Sequence, residues 1–270
     1  MIGRSKRISQ RPSVPSRPPG GPIIQVVDVS MAFGALKIYE HLNLEVREGE
    51  ILTLLGGSGS GKSVLLKMIL GLLRWQSGAV LVDGEDISSY DEIDLQEVRR
   101  KVGMLFQNGA LFDSLSVYEN IAYPLLERGI NDEKVIAQRC AEVLEMVGLP
   151  GVEEKMPAEL SGGMRKRVAL ARAIAEAPKI LLYDEPTTGL DPINVRRISE
   201  LIVDMNQRLH VTSICVTHDL ASAYMISDRM AMVADHRIIA VGTTEELRGS
   251  DNPAVQQFLT AMTVDGPRAA

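Results

Sequence analysis

The sequence predicts an α/β fold: a parallel β-sheet with crossover helices and an inserted helical subdomain. β-rich apolar segments alternate with helical patterns from Ile23 onward, a glycine-rich turn joins one strand to a helix, and strand patterning is absent from residues 108–177. A chain in which strands and helices alternate usually folds into a parallel sheet with crossover helices. The 270 residues fit one large domain with an insertion.

The strands are predicted from short apolar or alternating segments bounded by turn residues. Residues 41–46, for example, alternate apolar and polar side chains, as a half-buried strand does. The predicted strands are residues 23–29, 41–46, 51–55, 79–82, 102–106, 179–183 and 211–217, with a closing hairpin at residues 230–241 about Asp235-His236. The predicted helices outside the insertion are residues 62–72, a short helix after residue 84, and one after Asp191.

Residues 108–177 carry helix signals in place of strand signals. Ser116 and Glu119 match a capping box, which begins a helix. Asn131 is placed to cap a second helix and Gly148 to end it. We therefore predict that this segment is a helical subdomain inserted into the sheet domain.

Composition and charge exclude several classes of protein. Hydrophobic residues make up 45% and charged residues 24%, values that are ordinary for a globular chain and unlike a collagen-like, coiled-coil or wholly disordered one. Residues 1–22 hold five basic residues, five prolines and no acid, so we predict a disordered basic arm. The net charge of the whole chain is −6. Because the arm contributes five positive charges, the net charge of the remaining residues is more negative by five. An acidic body lacks the basic face of a general nucleic-acid binder, so no nucleic-acid partner is expected.

Cys140 and Cys215 are the two cysteines of the chain, and both lie among apolar residues. Isolated thiols of this kind indicate buried, reduced side chains and a cytosolic compartment, not a disulfide framework or a metal site. No apolar run approaches the ~18 residues that a membrane span needs. If the chain works on a membrane, we expect another chain to supply the span.

A glycine-rich loop follows the predicted strand 51–55 and precedes a helix, and its sequence is Gly56-Gly57-Ser58-Gly59-Ser60-Gly61-Lys62-Ser63. This pattern is typical of a P-loop, in which backbone N–H groups and the helix N-terminus surround phosphates. Lys62 is expected to reach the β- and γ-phosphates, and the Ser63 hydroxyl to bind Mg²⁺. The alternative is a flexible Gly/Ser turn, which the strand–turn–helix context disfavours.

Two carboxylates, Asp184 and Glu185, follow the apolar segment Ile180-Leu181-Leu182-Tyr183. Ligands of open α/β sheets bind at the carboxyl ends of the strands, so both side chains are expected at the nucleotide. Asp184 is placed to hold Mg²⁺ through its water shell, and Glu185 to orient or deprotonate the attacking water. Alone, such a pair is usually the solvated start of a loop.

A second candidate anion site is the short segment Leu160-Ser161-Gly162-Gly163-Met164, which opens a helix. The P-loop, Gln107 after a strand, this segment, Asp-Glu, Gly189-Leu190-Asp191 and His218 after a strand occur in that order. This order resembles an ATP-binding cassette (ABC) ATPase, a P-loop NTPase, over about residues 23–250. The resemblance implies an antiparallel β subdomain on the N-terminal side of the core. The remaining residues, 251–270, are interpreted as a C-terminal tail.

The resemblance implies a homodimer in which each ATP lies between the P-loop of one subunit and the Ser161–Gly163 segment of the other. It implies roles at four further positions. Phe33, in the predicted loop between strands, would stack on adenine, and Gln107 would contact Mg²⁺ and the attacking water. His218 would contact the γ-phosphate and hold Glu185, and Asp191 would lie at the dimer interface. The alternative for Phe33 is a core aromatic residue, and the alternative for Gln107 is a generic polar residue at a strand end. For His218 it is a structural histidine, and for Asp191 a helix cap.

Three positions depart from the commonest family pattern. Met164 stands where glutamine is commonest, and Gly57 where proline is frequent. Val64, at the end of the P-loop, replaces a second hydroxyl residue, which leaves Ser63 as the sole candidate Mg²⁺ hydroxyl there. Neither Met164 nor Gly57 is expected to supply an indispensable phosphate ligand, and Val64 is still predicted to belong to the nucleotide-binding loop.

The stretch from Met104 to Leu125 resembles the Mla/Mce-type phospholipid transport ATPases. That resemblance implies an ATPase on the cytoplasmic face of the bacterial inner membrane that drives phospholipid transport between the inner and outer membranes. Its implied partners are an integral-membrane permease (MlaE-like) and an MCE-domain lipid-binding protein (MlaD-like). Such systems often include a STAS-domain protein (MlaB-like) as well. The alternatives are an amino-acid importer of the methionine type, a soluble ABC ATPase acting on DNA or ribosomes, and a catalytically dead cassette.

Overall fold

The computed structural model describes residues 21–264, with side chains described through residue 260. The predicted basic arm lies outside the described residues except for its last two, and the end of the predicted tail also lies outside them. No helix in the described part of the chain combines the length and apolar character needed to cross a membrane.

The described strands form two sheets. The strands are β1 (Pro22–Phe33), β2 (Leu36–Arg47), β3 (Ile51–Gly56), β4 (Ser77–Val82), β5 (Glu85–Asp86), β6 (Val102–Leu105), β7 (Ile180–Asp184), β8 (Thr212–Thr217), β9 (Arg229–Ala234) and β10 (Arg237–Gly242). The first sheet is antiparallel, in the order β2-β1-β4-β5. The second has the order β10-β9-β3-β8-β7-β6 and is parallel except for the β9–β10 hairpin. The predicted α/β fold with an antiparallel β subdomain is confirmed.

The described helices connect the parallel strands, form the insertion or follow the last strand. They are α1 (Lys62–Ile69), α2 (Glu92–Arg100), α3 (Val117–Glu127), α4 (Glu133–Met146), α5 (Gly162–Ile174), α6 (Pro192–Leu209), α7 (Leu220–Ile226), α8 (Thr244–Arg248) and α9 (Pro253–Val264), with a 3-10 turn at Pro157–Glu159. The capping box of Ser116 and Glu119 begins α3, as predicted. Helices α3, α4 and α5 share an apolar cluster with one face of the parallel sheet, and α1 and α2 pack with the other face and the antiparallel sheet.

Two helix boundaries differ from the prediction for local reasons. Helix α4 is capped by Asp132, whose carboxylate accepts from two backbone N–H groups, and not by Asn131. Helix α1 ends at Ile69 instead of about Leu72, because Gly71 has a φ of +65°. The N–H of Leu72 bonds to the carbonyl of Lys67 at 2.8 Å, which closes a Schellman motif.

Strand β1 is longer than predicted and includes Phe33, which the sequence placed in a loop. Phe33 pairs with Leu36 across a two-residue turn, and Gly34 in that turn has a φ of +58°. A hairpin with a left-handed glycine lets both strands continue to the turn. The position of Phe33 is therefore a strand end at the edge of the β subdomain.

Both cysteines are buried and free, as predicted. Burial raises the pKa of the Cys140 thiol to about 11. Burial also raises the pKa of Cys215, which is completely enclosed. Because the thiolate is the reactive form, both side chains are chemically inert at neutral pH.

Candidate nucleotide site

The glycine-rich loop leaves the centre of the parallel sheet, from a strand whose six residues are all buried. Gly61 ends the loop with a φ of +93°, and a Cβ there would lie 2.7 Å from the Ile38 side chain. Gly59 also has a positive φ, of +78°, and faces open space. Glycine is therefore required at Gly61 by close packing and at Gly59 by conformation.

Lys62 is the first residue of α1, and 7% of it is exposed. Its ammonium donates to the carbonyl oxygens of Gly56 at 2.8 Å and Gly57 at 2.9 Å, with the Ser60 hydroxyl oxygen 3.5 Å away. Burial lowers the pKa of Lys62, and the nearby carboxylates of Glu185 and Asp184 act in the opposite direction. The loop thus holds a positive charge at the place where phosphates are expected.

Ser63 and Asp184 meet above the carboxyl ends of β3 and β7. The Ser63 hydroxyl donates to a carboxylate oxygen of Asp184 at 2.6 Å, and 7% of Asp184 is exposed. Hard divalent cations such as Mg²⁺ prefer a small number of oxygen ligands together with water. This pair of oxygen atoms fits a hydrated Mg²⁺ ion.

Glu185 follows directly and has a left-handed backbone, with a φ of +50°. Its N–H donates to the carbonyl of Val216 at 2.9 Å, which ties the residue to β8. One carboxylate oxygen accepts from the Thr188 hydroxyl at 2.9 Å and lies 2.8 Å from Nδ1 of His218. The prediction that His218 contacts Glu185 agrees with this geometry.

Lys62, Ser63, Glu185 and His218 share one cleft of about 530 Å³. Asp184 does not line this cleft itself, but it bonds to Ser63, which does. Gln107 lines this cleft together with residues of the glycine-rich loop. The cleft is lined by Ile38, Ser58, Gly59, Ser60, Gly61, Lys62, Ser63, Val64, Gln107, Glu185 and His218. Phe33 is not among these lining residues, and 48% of it is exposed at the end of β1.

The Ser161–Gly163 segment lies elsewhere on the subunit and lines no part of this cleft. Ser161 caps α5, and its hydroxyl accepts from the Met164 N–H at 3.3 Å. A Cβ on Gly163 would lie 2.9 Å from the side-chain oxygen of Asn194, so this glycine permits close approach of α6. Asp191 caps α6 and accepts from the backbone N–H groups of Ile193 and Asn194. Each subunit therefore carries two separated sets of candidate nucleotide contacts.

Three residues of the site were not predicted from the sequence. Thr188 supports the Glu185 carboxylate, Lys166 donates to backbone carbonyls beneath it, and Ile38 lines the cleft. Thr188 had a usable signal, because a hydroxyl three residues after a carboxylate reaches it across a turn. Lys166 and Ile38 come from distant segments and had no local signal.

Residues 39–188 match the family described as ABC transporter. The chain belongs to the ABC transporter family. It is an ABC ATPase of a transporter, and such ATPases bind ATP and act as dimers with membrane permeases.

Relatives share most of the chain. The "Intermembrane phospholipid transport system ATP-binding protein MlaF" of Haemophilus influenzae is 44% identical, covering 91% of this chain and 92% of the relative. The Escherichia coli K12 protein of the same name is 40% identical, with 91% of each chain covered. The "Probable ribonucleotide transport ATP-binding protein mkl" of Mycobacterium leprae is 43% identical, covering 93% of this chain and 72% of the relative.

Solved cassettes have the same fold. The ATP-binding cassette MJ0796, solved as a dimer bound to ADP and Pi after hydrolysis, matches with a TM-score of 0.76 and 31% identity. The match covers 82% of this chain and 98% of that cassette. CbiO1 of Clostridium perfringens matches with a TM-score of 0.79 and 29% identity over 92% and 97% of the two chains.

Proposed function

We propose that this ABC ATPase drives phospholipid transport between the inner and outer membranes through an Mla/Mce-type permease complex. The observation that carries its ATPase chemistry is the cleft in which Lys62, the Ser63–Asp184 pair and the Glu185–His218 pair converge. The lipid substrate is supported by the 40–44% identity to proteins named for intermembrane phospholipid transport.

The groups in and beside the cleft have distinct proposed roles in ATP hydrolysis. Lys62 binds the β- and γ-phosphates, exchanging its bonds to the loop carbonyls for phosphate oxygens. The hydroxyl of Ser63 and the carboxylate of Asp184, together with Gln107 in the cleft lining, would hold Mg²⁺, which would supply charge neutralisation at the phosphates.

Glu185 accepts a proton from the attacking water, in line with the γ-phosphate. His218 and Thr188 both bond to the same carboxylate oxygen, so they fix the carboxylate's orientation. The remaining oxygen is the one available to the water. We assign His218 a second contact, to the γ-phosphate, because its exposed ring lines the cleft.

The second set of contacts acts on the partner subunit's nucleotide. Ser161, Gly162 and Gly163 present a hydroxyl and free backbone N–H groups at the start of α5, where the helix dipole favours an anion. They line no part of their own subunit's cleft, which supports their use in trans across a homodimer. Asp191, exposed at the start of α6, is assigned to the same interface.

Mixing two inactive chains tests this arrangement. In a mixed dimer of Lys62→Ala and Ser161→Arg chains, both lesions fall in one composite site and the other site is intact. With random pairing and independent sites, we expect roughly a quarter of the wild-type ATPase rate. ATP hydrolysis by the mixture and by each homodimer is the measurement. The control is a dimer that is known to have one intact site. If that dimer hydrolyses ATP and the mixture does not, each subunit uses its own Ser161–Gly163 segment.

A surface in the helical insertion is assigned to the permease. Phe112 and Tyr123 expose 43% each, and their ring centroids lie 4.9 Å apart. Fully buried Asn120 holds the loop beneath them, because it accepts from the Phe112 N–H at 2.8 Å and donates to the Leu115 carbonyl at 3.0 Å. Phe112 lies in this braced loop and Tyr123 in helix α3, and exposed aromatic side chains of this kind are typical of protein interfaces.

The same loop is connected to the nucleotide cleft. It begins after Gln107, which lines the cleft, and Arg172 donates to the carbonyls of Gly109 and Ala110 at 3.0 and 2.8 Å. ATP-dependent closure would therefore move the aromatic pair together with the cleft wall. Differential affinity of the permease for the closed state provides the coupling. We place the chain at the cytoplasmic face of the inner membrane through this contact, with MlaE-like, MlaD-like and MlaB-like partners.

Deleting the gene tests the lipid assignment. We expect a weakened outer-membrane barrier and excess surface phospholipid, restored by the wild-type chain and not by Glu185→Gln. Uptake of labelled ribonucleotides and of amino acids is measured in the same strains. Ribonucleotide uptake is included because a relative that is 43% identical is named for ribonucleotide transport. Normal lipid distribution with a selective loss of ribonucleotide or amino-acid uptake would replace the lipid assignment with that substrate class.

A further inference from the structure

Lys166 lies in the second turn of α5 and is 6% exposed. Its ammonium donates to two carbonyl oxygens, those of Glu185 and Thr188, both at 3.1 Å. Burial lowers the pKa of Lys166, and the Glu185 carboxylate raises it in compensation. A buried ammonium is costly unless hydrogen bonds satisfy it, so these two contacts account for its presence there.

The two carbonyls are the ends of one turn. The N–H of Thr188 bonds to the carbonyl of Glu185 at 3.3 Å, which closes the turn. Glu185 has a φ of +50°, a conformation that non-glycine residues keep only where their surroundings hold it. The Lys166 ammonium therefore bonds to the first and the last residue of this turn.

The same turn also orients the carboxylate of Glu185. The Thr188 hydroxyl donates to the Glu185 side chain at 2.9 Å, so the backbone position of Thr188 determines the direction of the proposed base. We propose that Lys166 is a positioning residue for Glu185, linking helix α5 to the turn that carries the base. This inference rests on the assignment of Glu185 under the proposed function.

The link joins the two nucleotide sites of a dimer. Helix α5 begins beside Ser161, and Lys166 lies about 7 Å further along the helix axis. Ser161 is assigned to the partner's nucleotide, whereas Glu185 acts in its own subunit's cleft. A shift of α5 when its N-terminus engages ATP is therefore transmitted through one side chain to the base of the other site.

The test compares variants of the full chain purified with its membrane partners. Lys166→Met fills a similar volume without donors, and Lys166→Arg restores donors and charge. Lys134→Met is the matched control, because Lys134 is exposed in the first turn of α4. We expect Lys166→Met to lower kcat about tenfold with KM for ATP, ATP affinity and Tm unchanged, since misplacement of a base acts on the chemical step. Lys166→Arg should recover most of kcat.

A double variant with Thr188→Val supplies a second readout. Both side chains act through the same turn, so the combined loss should be smaller than the product of the two single losses. A wild-type kcat in Lys166→Met, with Glu185→Gln inactive, overturns the positioning role alone. Parallel losses of Tm and ATP affinity in both Lys166 variants overturn it in favour of a purely structural role. Retained hydrolysis in Glu185→Gln removes the base assignment and, with it, this inference.

Discussion

Replacing Lys62 with alanine is expected to lower ATP turnover by at least ~100-fold, because the transition state loses the cation nearest its developing charge. In the structure, the ammonium is buried and points into the loop, held by the Gly56 and Gly57 carbonyls. Nucleotide affinity should fall as well, since the triphosphate enters a low-dielectric cleft without a compensating charge. Steady-state ATPase assays and titration with a fluorescent nucleotide measure the two effects.

Lys67→Ala is the control for that variant. Lys67 lies on the same helix, on its exposed face, and its ammonium is outside the cleft. We expect wild-type turnover and affinity from it. Substantial ATP hydrolysis by Lys62→Ala would show that the glycine-rich loop is not the phosphate site.

Glu185→Gln should separate binding from hydrolysis. The amide keeps the shape of the side chain but cannot accept a proton, so we expect turnover to fall by about 10²–10⁴-fold. ATP affinity should be retained, because Lys62 and the glycine-rich loop are unchanged. The variant should therefore accumulate as an ATP-bound dimer, which size-exclusion chromatography with ATP and Mg²⁺ detects.

Glu200→Gln is the matched control, since Glu200 pairs with Arg196 on the exposed face of α6. It should hydrolyse ATP and show no ATP-stabilised dimer. Equal losses of ATP binding and turnover in Glu185→Gln would assign the carboxylate to nucleotide binding and leave the base unidentified.

The sequence was sufficient for the features that depend on neighbouring residues. The glycine-rich loop, the carboxylates after β7 and the Ser161 cap are each specified within a few residues, and the structure has them on the predicted strand ends and helix start. The crossover fold followed from strand–helix alternation for the same reason. Local chemistry limits what such segments can form.

Competition between neighbouring residues was harder to predict. Asn131 and Asp132 are both good helix caps, and the carboxylate forms the bonds to Lys134 and Val135. The end of α1 depended on Gly71, where a Cβ would collide with Leu95 of α2. Such outcomes depend on tertiary packing, which a single stretch of sequence does not contain.

Contacts between distant segments were beyond sequence reasoning altogether. Lys166 reaches Glu185 across 19 positions, and nothing in the helical pattern of α5 distinguishes it from an exposed lysine. Ile38 enters the cleft from the antiparallel sheet for similar reasons. The predicted stacking role of Phe33 remains a prediction, because its ring lies outside the cleft lining in this structure.

The two shielded thiols make this chain a natural background for site-directed labelling. Cys140 and Cys215 expose 0% and 1% of their surface, so maleimides have no accessible target among the native cysteines. Cysteines introduced at Ser58 and Ser161, both exposed, would be the reactive positions. A disulfide between them, or a spectroscopic distance between attached probes, would then report the approach of two subunits with both native cysteines left in place.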